Sequence, residues 1–265
     1  MPTRKQRANF RRDEVAANTS LATKPPPAKA AFFIFQHSMA LSFNPQELPI
    51  IGVDNHLPAV SPERLVPSAL RQRFGAPPVW TPEIAVERSF NDREPTHASV
   101  LVPLVLRDTI SVLLTQRTDH LTDHPGQISF PGGRAESHDA DATATALSEA
   151  REEIGLDAAH VDVIGSLPTY TTGTGFIVTP VVAFLRPGFA LKADPFEVAE
   201  IFEVPLAFLM SPANHHRHAV EVGGVRREFL SMPWPGQDDQ GRPRRYFIWG
   251  ATAAMLRNLY RFLDA

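Results

Sequence analysis

The residues best placed to do chemistry are three glutamates. Glu149, Glu152 and Glu153 stand at i, i+3 and i+4, a spacing that puts all three on one face of an α-helix within about a turn. They precede Gly155, a residue suited to a left-handed helix cap. Carboxylates gathered there repel one another and meet the negative end of the helix dipole, at a cost of about 0.3–1 kcal/mol for each exposed acid. A hard divalent cation, Mg2+ or Mn2+, resolves both conflicts, because these ions take oxygen ligands and carry the opposing charge. Gly132-Gly133 lies ahead of the helix, and with no side chain in the way a backbone carbonyl can approach the same cation. The competing reading is a solvated acidic helix end partly relieved by Arg151; the glycines favour a metal-centred site.

The helix that carries these acids is predicted over about 141–154, with strands over 98–106, 110–116 and 127–130 before it and 161–166 and 176–185 after it. Arg107-Asp108-Thr109 reads as the turn of a hairpin between the first two strands, and Gly223-Gly224 as that of another between 219–222 and 225–230. A strand over 246–249 leads into a last helix ending near Leu263, whose Met255, Leu259, Phe262 and Leu263 form an apolar stripe suited to a core. Nearer the N-terminus, Ser61-Pro62-Glu63 offers a cap residue, a first-turn proline and an early acid. Leu65, Ala69, Leu70 and Phe74 then recur at helical spacing as far as Gly75, which predicts one short helix. The chain thus divides into a largely disordered or extended tail over 1–60, a short helix with a proline-rich linker over 61–94, and a compact domain over 95–265.

Composition narrows the function classes. A 265-residue chain that is 43% hydrophobic has enough apolar material for a sizeable core. With 26 basic against 29 acidic residues, the net charge of -3 gives no general attraction to nucleic acid or anionic membrane, so neither partner is expected and any polyanion site is local. The absence of cysteine excludes disulfides, thiolate metal sites and a cysteine nucleophile, and fits a cytoplasmic protein. The densest apolar run, 30–35, falls well short of the ~18–20 residues that span a bilayer. Basic residues ahead of that run imitate an export signal, but Pro25-Pro26-Pro27 interrupts it. Met39 offers a second starting point, so the first 38 residues read either as a tail or as the product of an upstream start.

The segment around the glutamates resembles the Nudix hydrolases, whose signature runs Gly, five residues, Glu, seven residues, then Arg-Glu-apolar-x-Glu-Glu-x-Gly-apolar. Gly133, Glu149, Ala150, Glu152, Glu153, Gly155 and Leu156 fill their places. Ser148 stands where the signature has Arg, and the interval from Gly133 to Glu149 is one residue longer, which leaves Asp139 and Ala140 as alternatives for the first acid position. A second block, from Leu113-Leu114-Thr115-Gln116-Arg117-Thr118 through His124-Pro125-Gly126-Gln127-Ile128-Ser129-Phe130-Pro131-Gly132-Gly133, is similar to the extra motif of the coenzyme A pyrophosphohydrolase branch. Thr122 stands where a basic residue is often found there. Thr179-Pro180-Val181-Val182, Phe202-Glu203-Val204-Pro205-Leu206 and Tyr246-Phe247-Ile248-Trp249-Gly250 extend the likeness towards the C-terminus.

The resemblance implies an α/β/α sandwich around a mixed β-sheet, an α+β fold, and cleavage of coenzyme A or acyl-coenzyme A to 3',5'-ADP and (acyl) 4'-phosphopantetheine. Glu149, Glu152 and Glu153, with the Gly133 carbonyl, would hold Mg2+ or Mn2+. Water would be the nucleophile, and its proton would pass to Glu152 or to Glu197, which lies where the family often places a loop carboxylate. Arg117 and Arg134 flank the motif and are candidates for bidentate phosphate binding, with surface solubility as the alternative. The partner expected is a small-molecule nucleotide. Two other functions stay open: hydrolysis of another nucleoside diphosphate derivative such as ADP-ribose or NADH, and a non-catalytic nucleotide-binding module.

Three further signals point elsewhere. His215-His216-Arg217-His218 suits an exposed loop better than a metal tract. Gly173-Thr174-Gly175 lacks the third glycine of a dinucleotide fingerprint and reads as a substrate-facing turn. Arg226-Arg227, Arg242 and Arg244-Arg245 give local positive charge suited to a 3'-phosphate or to water, without the interleaved aromatics of a single-strand platform.

Overall fold

A computed structural model describes residues 43–89, 94–121, 125–222 and 224–265. The apolar run 30–35, Met39, Thr122, His124 and Gly223 lie outside the described residues. In chain order the elements are β1 (Ile50–Val53), α1 (Pro67–Gly75), β2 (Thr96–Val105), β3 (Ser111–Arg117), β4 (Ile128–Ser129), β5 (Gly132–Arg134), α2 (Ala142–Ile154) and β6 (Val161–Ser166). There follow β7 (Tyr170–Thr171), β8 (Phe176–Leu185), β9 (Val198–Pro205), α3 (Leu206–Leu209), β10 (His216–Val222), β11 (Val225–Gln237), β12 (Pro243–Trp249) and α4 (Gly250–Asp264).

Strand β2 shows how the sheet is built. From Ala98 to Val105 its residues are buried, and they sort by parity as the pleat requires: Val100, Val102 and Leu104 join one core cluster, Leu101 and Val105 the other. A strand covered on both faces belongs inside a sheet with helices on each side. β2 runs parallel to β8 from Thr96↔Phe176 to Val105↔Leu185, and β6 and β7 pair antiparallel to β8. On its other edge β2 meets β5 and the start of β3, and β3 in turn carries β4 and β9, all antiparallel. The sheet is therefore mixed.

Helix α2 covers one face through Ala146, Ala150 and Ile154, which recur every four residues beneath Leu101, Leu113 and Val181. Helix α4 covers the other. Met255, Leu256 and Leu259 share a core with β2 and β8, and also with Met232 of β11 and Ile248 of β12. A helix buried all round must be clothed on its outer side as well, and the second sheet, β1-β10-β11-β12, provides part of that cover. The result is the expected sandwich of helices about a mixed sheet, with an antiparallel sheet added.

The short helix predicted from Pro62 to Gly75 is two pieces. Residues Pro62–Leu65 form a 3-10 turn, and α1 starts afresh at Pro67. Pro67 has no N–H to donate back and holds Val66 extended, at φ -84° and ψ 154°. Ser61 makes no side-chain capping bond. β11 runs to Gln237 rather than ending at 230, because Pro233 and Pro235 fall in the half that pairs with β12 after the β10 register has ended at Ser231.

Within the stretch expected to be largely disordered or extended, residues 50–53 form β1 and pair with β10. Asp54 follows, buried, taking both Arg217 donors at 2.8 Å. Glu83 of the proline-rich segment meets Arg217 at 2.8 Å, Arg257 at 2.7 Å and Arg261 at 2.6 Å. Arg257, fully buried on α4, also reaches Asp54 at 3.0 Å and His215 Nδ1 at 2.9 Å. These charges tie residues 54–83 to β10 and α4. Asn258 adds a pair of bonds to the backbone of Ile84.

Candidate active site

Helix α2 is delimited as its sequence dictates. The Asp141 carboxylate accepts from Ala144 N at 2.8 Å, and Gly155 closes the helix in the left-handed conformation at φ 66°. Its last carbonyls are bound by the following loop: Lys192 N donates to Ile154 O at 2.9 Å and Asp194 N to Glu153 O at 2.8 Å. Asp194 O then accepts from both Glu197 N and Val198 N. That docked turn brings Glu197 to the helix end, close enough to raise the pKa of both Glu149 and Glu153.

Gly132 and Gly133, on β5, face the same helix. Gly132 N donates to Glu153 Oε2 at 3.3 Å. A side chain at position 133 would collide with Glu149, whose Cδ lies 2.6 Å from where a Cβ would stand, and each of whose carboxylate oxygens lies 2.7 Å away. Glu149 occupies space that only glycine leaves open, beside its backbone.

The electrostatics are those of buried, mutually repelling acids. Burial pushes the Glu149 carboxyl up to about 7, helped by Glu152, Glu197, Glu136 and Asp139. Glu153 is held well above the usual carboxylate range, by burial first and then by Glu149 and Glu197; the Gly132 N–H and Arg117 oppose the shift. Glu153 Oε1 is buried without a hydrogen-bond partner, which in a native structure calls for an explanation such as a bound ion. Glu152 is exposed on the same helix. Hard oxygen donors, an orphaned buried oxygen and a carboxylate packed on bare backbone fit a divalent cation. Among the described residues, no three His, Asp or Glu side chains already stand together at ligand distance.

The candidates from the sequence are not all alike in placement. Arg117 is buried at the end of β3 and its charge reaches Glu153, whereas Arg134, next to Gly133, is exposed. Asp139 accepts from Glu136 N at 2.8 Å and from Thr145 Oγ1 at 2.9 Å, so it organises the loop before α2. Glu136 was not singled out by spacing, yet its charge acts on Glu149; the signal was an acid three residues beyond Gly133 in a loop that must return to the helix. His215 binds Leu209 O and Arg257, and His218 binds Leu48 O and Ser231, so these rings are structural. The turn at Gly173 is held by Glu87, which accepts from Gly173 N at 2.7 Å and from the Tyr170 hydroxyl. Arg226, Arg242 and Arg244 pair with Glu228, Asp238 and Glu200.

The NUDIX domain model matches residues 95–221. Proteins named "Uncharacterized Nudix hydrolase NudL" are similar: that of Enterobacter sp. (strain 638) is 40% identical over 163 residues, 61% of this chain and 80% of its own length. That of Salmonella heidelberg (strain SL476) is 41% identical over 179 residues, 67% of this chain and 86% of its own. A solved C. elegans Ap4A hydrolase is similar at 19% identity with a TM-score of 0.37, over 44% of this chain and 85% of that one, too distant a likeness to bear on activity. The chain belongs to the Nudix hydrolase family. It is accordingly a pyrophosphohydrolase acting on a nucleoside diphosphate derivative. No helix among the described residues is long and apolar enough to cross a membrane.

Proposed function

We propose that the enzyme hydrolyses the pyrophosphate bond of coenzyme A or an acyl-coenzyme A to 3',5'-ADP and (acyl) 4'-phosphopantetheine. The observation that carries the reading is Glu149 packed against Gly133 with the carboxyl groups of Glu153 and Glu197 beside it. It supports diphosphate chemistry that depends on a cation; the choice of coenzyme A rests on the motif over 113–133. Mg2+ or Mn2+, held by Glu149, Glu152 and Glu153 with the Gly133 carbonyl, would offset charge on the diphosphate and acidify a water.

The chain's own groups do the rest. Arg117, buried beside the acids, and Arg134, at the rim, grip phosphate oxygens with planar guanidinium groups. Glu152 or Glu197 accepts the proton of the attacking water. The water oxygen joins one phosphorus, and the bridging oxygen leaves with the other phosphoryl group.

Coenzyme A incubated with the enzyme and Mg2+ in 18O-labelled water, followed by mass spectrometry, tests this. The expected result is both products, with one labelled phosphate that marks the attacked phosphorus, and no turnover by Glu152→Gln or Glu153→Gln. Cleavage of ADP-ribose or NADH with coenzyme A untouched overturns the substrate. No cleavage of any of the three overturns the coenzyme A reading, and nucleotide binding without turnover favours the nucleotide-binding module.

A further inference from the structure

Phe196 is 72% exposed, on the turn that delivers Glu197 to the acid cluster. Single exposed apolar side chains are ordinary on protein surfaces, so its position has to make the case. The turn is rigidly held without help from the ring: Phe196 N donates to Asp194 Oδ1 at 2.8 Å, Phe196 O accepts from Thr118 Oγ1 at 2.9 Å, and Thr118 N donates to Glu197 O at 3.0 Å. Asp194 N is in turn bound to Glu153 O at 2.8 Å, so the turn moves with the helix end that bears the acids. Any residue but proline at 196 would preserve these backbone bonds, and folding gains little from an aryl group left in water. The ring makes an edge-on contact with His120, centroids 5.4 Å apart at 86°, across the strand end that carries Arg117.

We propose that Phe196, flanked by His120, is the platform on which the substrate's nucleobase stacks. This rests on the reading of the site as one for a nucleoside diphosphate derivative, and it names the residue that recognises the nucleoside end. A flat aryl face open to solvent beside a diphosphate site suits the π-face of a purine, and stacking is tolerant of base identity. The adjoining His120 ring stands at 86° to it.

Calorimetric titration of full-length protein with 3',5'-ADP, and with ribose 5-phosphate as the base-free control, tests the assignment alongside steady-state kinetics on coenzyme A. Phe196→Ala is expected to weaken nucleotide binding and raise KM on the order of tenfold, Phe196→Trp to keep wild-type affinity, and Phe196→Leu to behave like alanine. Ribose 5-phosphate binding should not distinguish the variants. Equal nucleotide affinity for wild type and Phe196→Ala, or rescue by Leu as complete as by Trp, overturns the platform. Failure of the wild-type protein to cut any diphosphate overturns the proposed function instead, and is read from kinetics alone.

Discussion

Gly133→Ala isolates the geometry of the acid cluster. The backbone at position 133 lies outside the left-handed region, so alanine is conformationally admissible there; the nearest atoms in the way are those of the Glu149 carboxylate. With Cδ at 2.6 Å from the new Cβ, the carboxylate must retreat by roughly 0.8 Å to reach ordinary van der Waals separation. Because the displaced atoms end a flexible side chain, the fold absorbs the change at about 1 kcal/mol or less, within the range of tolerated swaps. Catalysis does not, since about 1 Å of misplacement costs about 100-fold in rate. The expected outcome is a folded protein with a near wild-type urea midpoint, kcat lowered on the order of 100-fold, and weaker Mn2+ binding by electron paramagnetic resonance. A Gly133→Ala protein with wild-type turnover and Mn2+ affinity would refute the idea that Glu149 works from the place it holds.

Three further outcomes follow from buried charge. Because the folded Glu149 carboxyl is raised from 4.5 to about 7, the folded state keeps its proton longer than the unfolded one. Stability of cation-free protein should therefore fall as pH rises through that window, and Glu149→Gln should make the decline shallower, leaving the share that belongs to Glu153; urea unfolding in EDTA at several pH values measures it. Glu83 is opposite in sign: hydrogen bonds from Arg257, Arg217 and Arg261 outweigh burial and hold it at about 2. Its contribution is present above about 4.5 and is lost as pH falls towards 2. Arg257→Leu takes the buried guanidinium from Asp54 and Glu83, which keep Arg217 and, for Glu83, Arg261, and should cost about 3 kcal/mol, while Arg261→Leu, at a half-exposed site, should cost about 1 kcal/mol or less; denaturant midpoints distinguish them.

Much of the site was legible because its signals are local. The i, i+3, i+4 acids, the helical run from about 141 and Gly155 place α2 within a residue of its observed ends. The parity of apolar residues in β2 and β8 marks strands buried on both faces. What escaped depends on partners far away in the chain. β1 is four residues long and acquires meaning only from β10. Glu83 looks like a linker residue until it meets arginines more than 130 positions later. Pro67 was visible, but its effect in restarting a helix competes with an apolar period that runs straight through it. Phe196 resembles an ordinary loop residue, because solvent exposure is a property of the folded turn.

Helix α4 has almost no face of its own to show to water. It meets Trp80, whose ring lies 5.2 Å from that of Phe262, and Pro58, whose carbonyl accepts from the Tyr260 hydroxyl, and its charges are answered by Asp54 and Glu83, all contributed from upstream of the matched family region. A chain trimmed to residues 95–221 would lose α4 along with its wrapping, and with them the support beneath β2 and β8. The hydrolase module here is therefore inseparable from residues 54–84: limited proteolysis of the full chain should leave that segment bound to α4 for as long as the domain stays folded.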